Sequence, residues 1–187
     1  METLIAAGPA GTGLETKFLA FETRDGVGAD GRVEGYASLF DVADDGGDVV
    51  APGAFAASLA GRRGRVKMLW QHDPAEPIGV WEDAAEDGRG LRVKGRLLTE
   101  VRRGAEAAAL LAAGAIDGLS IGYRTVKAAR ATGGGRRLLA VDLWEVSLVT
   151  FPMLPGARAT GVAGADAAED DALAFAEALR AARALFE

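Results

Sequence analysis

The sequence predicts an α+β fold, a mainly antiparallel β-barrel core flanked by helices and followed by an acidic C-terminal helix. Three observations predict it. Short strand-like runs are separated by Asp/Gly turns such as ADDGGD, EDGRG and TGGG. Only two helical segments interrupt the strand-like runs of the central chain. The order is several strands, a helix, then more strands, with none of the regular alternation that builds a doubly wound parallel sheet.

In chain order, residues 1–15 have linker composition, AAGPAGTG, and are expected to be flexible. A domain over 16–160 follows. Its strand-like runs are KFLAFET (17–23), RVEGYASLF (32–40), RVKMLWQ (65–71), PIGVWED (77–83), GLRVKGRLL (90–98), LSIGYRTVKA (119–128) and LLAVDLWEVSLVTF (138–151). One helix is expected over 51–62, opened by Pro52, and a longer one over 100–114, with Thr99 as its N-cap and Gly114 as its stop. The tail, 161–187, differs. From Gly164 it carries six acids and two arginines, and Leu173, Ala176, Leu179, Ala182 and Leu185 give it a helical apolar stripe. It is read as a docked terminal helix or as a partner-binding or removable segment.

Composition narrows the chemistry. The chain has 187 residues, 49% of them hydrophobic, which is enough for one core with appendages. It contains no cysteine, so disulfides, thiolate metal sites and a cysteine nucleophile are excluded. No apolar stretch approaches the ~20 residues that span a bilayer, and the N-terminus lacks a basic region, so the expectation is a soluble chain that is not exported. The net charge of −6 argues against nucleic acid as a partner. Basic pairs such as Arg62-Arg63, Arg102-Arg103 and Arg136-Arg137 are scattered and lack interleaved aromatics. The chain has one histidine, His72, and histidine-based chemistry must pass through it.

Gly118 to Tyr123 reads GLSIGY, which contains the Gly-x-Ser-x-Gly of the hydrolase nucleophile elbow. That elbow needs a strand-to-helix turn and a histidine later in the chain. Here the following residues read as strand, and no histidine follows Ser120. With 26 glycines in the chain, about twice the usual ~7%, such patterns also arise by chance.

A serine nucleophile defined by geometry does not need that order. Serine is a poor nucleophile until a base takes its proton, and an imidazole suits that role. His72 is the only candidate, 48 residues ahead of Ser120 (72 to 120). Strand alternation places Val66, Met68, Trp70 and His72 on one face, ahead of a turn at Asp73-Pro74. Ser120 shares a face with Gly118 and Gly122, and small neighbours leave room there for a peptide backbone. A base also needs an orienting group. Val141, Leu143, Glu145, Ser147 and Val149 alternate onto one face, where Glu145 must find a partner among aliphatics. His72 fits, as does an Arg or Lys. Asp142, Asp73 and Asp48 are rivals of Glu145. A hard cation held by His72 with Asp44, Asp45 or Asp48 is the competing chemistry, but DVADDGGD lacks the bidentate glutamate of a calcium loop.

Four ordered segments, GYASLFDVADDGGDVVAPGAF (35–55), VKMLWQHDPAEPIGVW (66–81), GLSIGYRT (118–125) and LWEVSLVTFPMLPGA (143–157), resemble the prohead proteases of tailed bacteriophages. These capsid-maturation serine peptidases are distantly similar in fold to the herpesvirus assemblins. The resemblance covers roughly residues 16–158. It implies Ser120 as nucleophile, His72 as general base and Glu145, 25 residues after the serine (120 to 145), as the orienting acid. It also implies a closed or nearly closed β-barrel ringed by helices, and a substrate cleft shaped by Gly118 and Gly122. Oxyanion-binding N–H groups are expected in the loop Phe151–Gly156. The implied activity is a serine endopeptidase inside the immature capsid, in the bacterial host cytoplasm. It cleaves scaffolding segments from the major capsid protein, and cleaves itself. Similar proteases also occur in domesticated phage-like particles. The partners implied are the major capsid protein and its scaffolding segment, with a homo-oligomer open and no nucleic acid or membrane partner. No cofactor or metal is needed. A catalytically silent capsid-assembly or scaffold-binding protein on the same fold is the alternative, and it would be expected to have lost Ser120, His72 or both.

Overall fold

A computed structural model describes residues 4–5, 15–19, 31–61, 65–151 and 159–161. The described residues form one curled sheet and two helices. The strands are β1 (Leu4–Ile5), β2 (Glu15–Leu19), β3 (Arg32–Leu39), β4 (Val49–Val50), β5 (Lys67–Trp70), β6 (Asp73–Glu86), β7 (Gly90–Leu97), β8 (Gly118–Arg130), β9 (Arg136–Val149) and β10 (Ala159–Gly161). Helix α1 (Ala56–Gly61) lies between β4 and β5, and α2 (Arg102–Ala112) between β7 and β8.

The long strands form where the apolar alternation is strongest. β7, for example, alternates buried and half-buried residues along GLRVKGRL. The hydrogen-bonded order is β1-β8-β9-β5-β6-β7-β3-β10, with β2 also on β8 and β4 also on β9. Every pairing is antiparallel except β4 with β9 and β5 with β9. The sheet is a half-barrel rather than the closed or nearly closed barrel expected. β3 curls back towards β8 and β2, but the edges that would have to join are taken. β3 pairs on one side with β7 and on the other with β10. β8 pairs with β9 on one side and with β1 and β2 on the other.

Helix α2 starts later than expected. Its N-cap is Val101, with no side-chain capping bond, so Thr99 is not the cap. Gly114, at φ 67°, follows the last turn as expected. α2 buries Gly104, Ala107 and Leu111. A Cβ at Gly104 would overlap the Leu98 carbonyl oxygen, so glycine lets the helix sit close on the chain leaving β7. The first helix is also shorter than expected, because residues 52–55 are turn. The acidic tail lies outside the described residues apart from Gly161.

The curl encloses Phe55, Met68, Ile78, Leu91, Leu97, Ile121, Tyr123, Leu143, Val146 and Leu148. Two parallel strands lie along one edge of β9. β4 reaches Arg137 and Leu138, and β5 spans Glu145 to Leu148. Between them the α1 segment supplies the acceptors. Val141 N–H donates to the Ala54 carbonyl at 3.0 Å, and Leu143 N–H donates to Ser58 Oγ at 2.8 Å. A buried N–H left without an acceptor costs about 1–3 kcal/mol. Ser58→Ala is therefore expected to lower unfolding stability by that amount in a urea titration. An unchanged midpoint would show that Ser58 does not hold this edge.

Candidate active site

β5 ends at Trp70, which pairs with Asp73, the first residue of β6. The connection is a two-residue turn, Gln71 and His72, and both have positive φ, 51° and 63°. Positive φ at both central positions is the signature of a type I′ hairpin, which usually recruits Asn-Gly. Holding a non-glycine residue in this region costs about 1–3 kcal/mol each. The expected turn at Asp73-Pro74 is therefore displaced: His72 is itself a turn residue. The strand alternation that put His72 on the face of Met68 stops at Trp70.

The restraints on this turn come from the end of β9 and the residue after it. Gln71 N–H donates to the Leu148 carbonyl at 2.9 Å. His72 N–H donates to Ser147 Oγ at 3.1 Å. Gln71 Nε2 donates to Thr150 Oγ1 at 2.7 Å. The turn brings the imidazole over β9, with Nδ1 at 2.6 Å from Glu145 Oε1. Ser147 Oγ donates to the other carboxylate oxygen, Oε2, at 2.5 Å.

The faces of β9 explain how Glu145 comes to be there. In the ladder with β8, Gly122 pairs with Glu145 but Tyr123 pairs with Leu143, so Trp144 is an extra residue. This β-bulge shifts the alternation by one. Val141 and Leu143 join the core with Val146 and Leu148. Glu145, Ser147 and Val149 take the opposite face, so the single five-residue face read from the sequence is split in two. Ser120 pairs with Ser147, Gly118 with Val149, and Gly122 with Glu145. Directly opposed residues share a face, with Cβ atoms about 4.5–5.5 Å apart. Ser120, Ser147, Glu145 and the His72 imidazole thus converge on one face of the sheet.

The site is mostly dry. Ser120 and Ser147 are fully buried and Glu145 is 3% exposed. The His72 side chain is 17% exposed, the most open of the four. With Glu145 accepting, Nδ1 carries the ring proton and the lone pair of a neutral imidazole falls on Nε2. Ser147 donates its only hydroxyl proton to Glu145, so it can only accept from the His72 backbone. Each polar role is consistent with the next.

The rival carboxylates are engaged elsewhere. Asp48 pairs with Arg136 through Nε and Nη2 and accepts from its N–H. Asp142 accepts from Trp144 Nε1 at 2.9 Å. Asp73 Oδ1 accepts from the Ala75 N–H at 2.8 Å. Asp44 accepts from the Asp48 N–H. Of the oxyanion loop expected at Phe151–Gly156, only Phe151 is described, and it is exposed. Ser147 was visible in the sequence as a second polar residue on the face of Glu145; its spacing of two was the signal for the contact it makes. Gly122 has a use that sequence reasoning missed. A Cβ there would overlap Glu145 Oε1 and lie 2.8 Å from Cδ, so the missing side chain is what admits the carboxylate.

The chain belongs to the caudovirus prohead serine protease family, whose model matches residues 19–170. It is 36% identical over 143 residues to the prohead protease of Enterobacteria phage HK97, covering 73% of this chain and 64% of that one. It is 31% identical over 115 residues to the capsid polyprotein of Pseudomonas phage PAJU2, covering 58% of this chain and 17% of that one. The chain thus spans less than two thirds of either relative. The structure of the bacteriophage T4 capsid assembly protease superposes with a TM-score of 0.51 at 17% identity, over 79% of this chain and 95% of that one, a likeness of fold.

The Gly122–Glu145 contact is testable by a double-mutant cycle. Gly122→Ala is expected to cost about 1–3 kcal/mol of stability through overpacking, and close to nothing in a Glu145→Ala background. Equal costs in both backgrounds would show that the carboxylate does not need the glycine.

Proposed function

We propose that this chain is a serine endopeptidase that cleaves scaffolding segments of a major capsid protein, and itself, during maturation of a phage or phage-like particle. The observation that carries the reading is the 2.6 Å contact of His72 Nδ1 with Glu145 on the face that carries Ser120. Family membership supports it, as do the names of the relatives, a prohead protease and a capsid polyprotein.

In this mechanism Nε2 of His72 takes the proton of Ser120 Oγ as Oγ bonds to the scissile carbonyl carbon. The tetrahedral adduct collapses when Nε2 returns the proton to the amide nitrogen and the C–N bond breaks. Water then enters by the same base and releases the acyl group from Ser120. Glu145 holds the imidazole with Nδ1 protonated and stabilises its charge when Nε2 is also protonated. Ser120 is fully buried in this conformation, so binding of a substrate carbonyl has to expose it. The setting is the immature capsid in the bacterial cytoplasm. No helix among the described residues is long and apolar enough to cross a membrane.

Co-expression with the capsid protein of the same particle tests the assignment. Ser120→Ala and His72→Ala are each expected to reduce coat processing on the order of 10³-fold or more. Glu145→Gln is expected to retain about 100-fold more activity than either, since an orienting group contributes less than nucleophile or base. Unchanged processing in Ser120→Ala would overturn the mechanism, and wild-type activity in Glu145→Gln would remove Glu145 from it.

A further inference from the structure

We propose that Ser147 is a positioning residue that sets the imidazole through both its backbone and its orienting acid. For the reaction, this rests on the reading of Ser120, His72 and Glu145 given above. One buried hydroxyl makes two bonds with different tasks. It donates to Glu145 Oε2 at 2.5 Å, which leaves Oε1 turned towards Nδ1. It accepts from the His72 N–H at 3.1 Å, which pins the second residue of a hairpin whose two central residues are both left-handed.

The same atom therefore fixes where the ring is attached and where its acid points. Among the described residues, Ser147 is the hydroxyl bonded to both Glu145 and the His72 N–H. Ser120 stands opposite Ser147 on the neighbouring strand, so its hydroxyl is the next one along this face. Removing the Ser147 hydroxyl leaves a buried carboxylate oxygen and a part-buried backbone N–H without their shared partner. The carboxylate is then free to rotate, and the turn loses one of its ties to β9. Ser147 does not touch the reacting atoms in this scheme. It acts through His72 and Glu145.

His72 is the only histidine in the chain, so its ring resonances need no assignment by elimination. In the full chain carrying Ser120→Ala, which blocks self-cleavage, the Nδ1 proton bonded to Glu145 is expected as one far-downfield signal. Ser147→Ala and the near-isosteric Ser147→Cys are each expected to broaden that signal beyond detection or shift it strongly upfield, with the circular dichroism of the fold retained. In the chain with Ser120 intact, both are expected to slow coat processing about 100-fold. A folded Ser147 variant with an unchanged Nδ1 signal would overturn the proposal, whatever its processing rate. If the wild-type chain processed no coat protein, the enzymatic reading would fall while the imidazole signal still decided the role of Ser147. Loss of folding in Ser147→Ala with an intact signal in folded Ser147→Cys would also count against it.

Discussion

The contact between His72 Nδ1 and Glu145 Oε1 is the constraint around which this half of the sheet is arranged. A carboxylate 3% exposed carries a desolvation cost of several kcal/mol unless charged or polar partners repay it. Two hydrogen bonds do so here, from an imidazole and from a serine hydroxyl, each worth about 1.5–3 kcal/mol when one partner is charged. The cost is therefore met only while both donors are in place. Three local departures from regular structure bring them together. A bulge at Trp144 turns Glu145 out of the core, a hairpin with two left-handed residues turns His72 over β9, and a glycine opposite Glu145 leaves room for its carboxylate. Each departure is unfavourable by itself. Together they assemble one buried polar cluster.

The rest of the fold supplies rigidity to that cluster. β9 is paired along nearly its whole length, with β8 on one side and β4, the α1 segment and β5 on the other. Glu145, Ser147 and Leu148 of β9, with Thr150 just after it, hold the Gln71–His72 turn. Ser120 rides on β8 in fixed register with Ser147. Side chains that must meet within a few tenths of an ångström thus belong to strands that cannot slide past one another without breaking a ladder.

Much of this was legible in the sequence, and the rest failed for identifiable reasons. The long strands follow from alternation, and the pairing of His72 with Glu145 was reachable from one histidine and one carboxylate stranded among aliphatics. The faces were not. Alternation assumes an uninterrupted strand, so it placed His72 with Met68 and kept Leu143 on the face of Glu145. A turn of Gln-His carries none of the usual glycine or asparagine signal for positive φ, and a one-residue bulge leaves no compositional mark. The parallel pairing of β5 with β9 joins residues 78 apart (67 to 145), beyond the reach of local pattern. The bond from the His72 N–H to Ser147 depends on that pairing, and the fit of Gly122 to Glu145 on the β8–β9 register. The open barrel also depends on which strand edges are taken, and the strands that take them include β1 and β10, two and three residues long.

The proposed chemistry stands or falls on Ser120 acting as a nucleophile activated by His72. The most direct measurement is covalent labelling of the chain, assembled with its coat protein, by a fluorophosphonate, followed by peptide mass mapping. Attack by Ser120 Oγ on phosphorus expels fluoride and leaves a stable phosphonyl ester. A single adduct is expected, on Ser120, and it is lost in His72→Ala. Labelling at another residue, or equal labelling of Ser120 without His72, would contradict it.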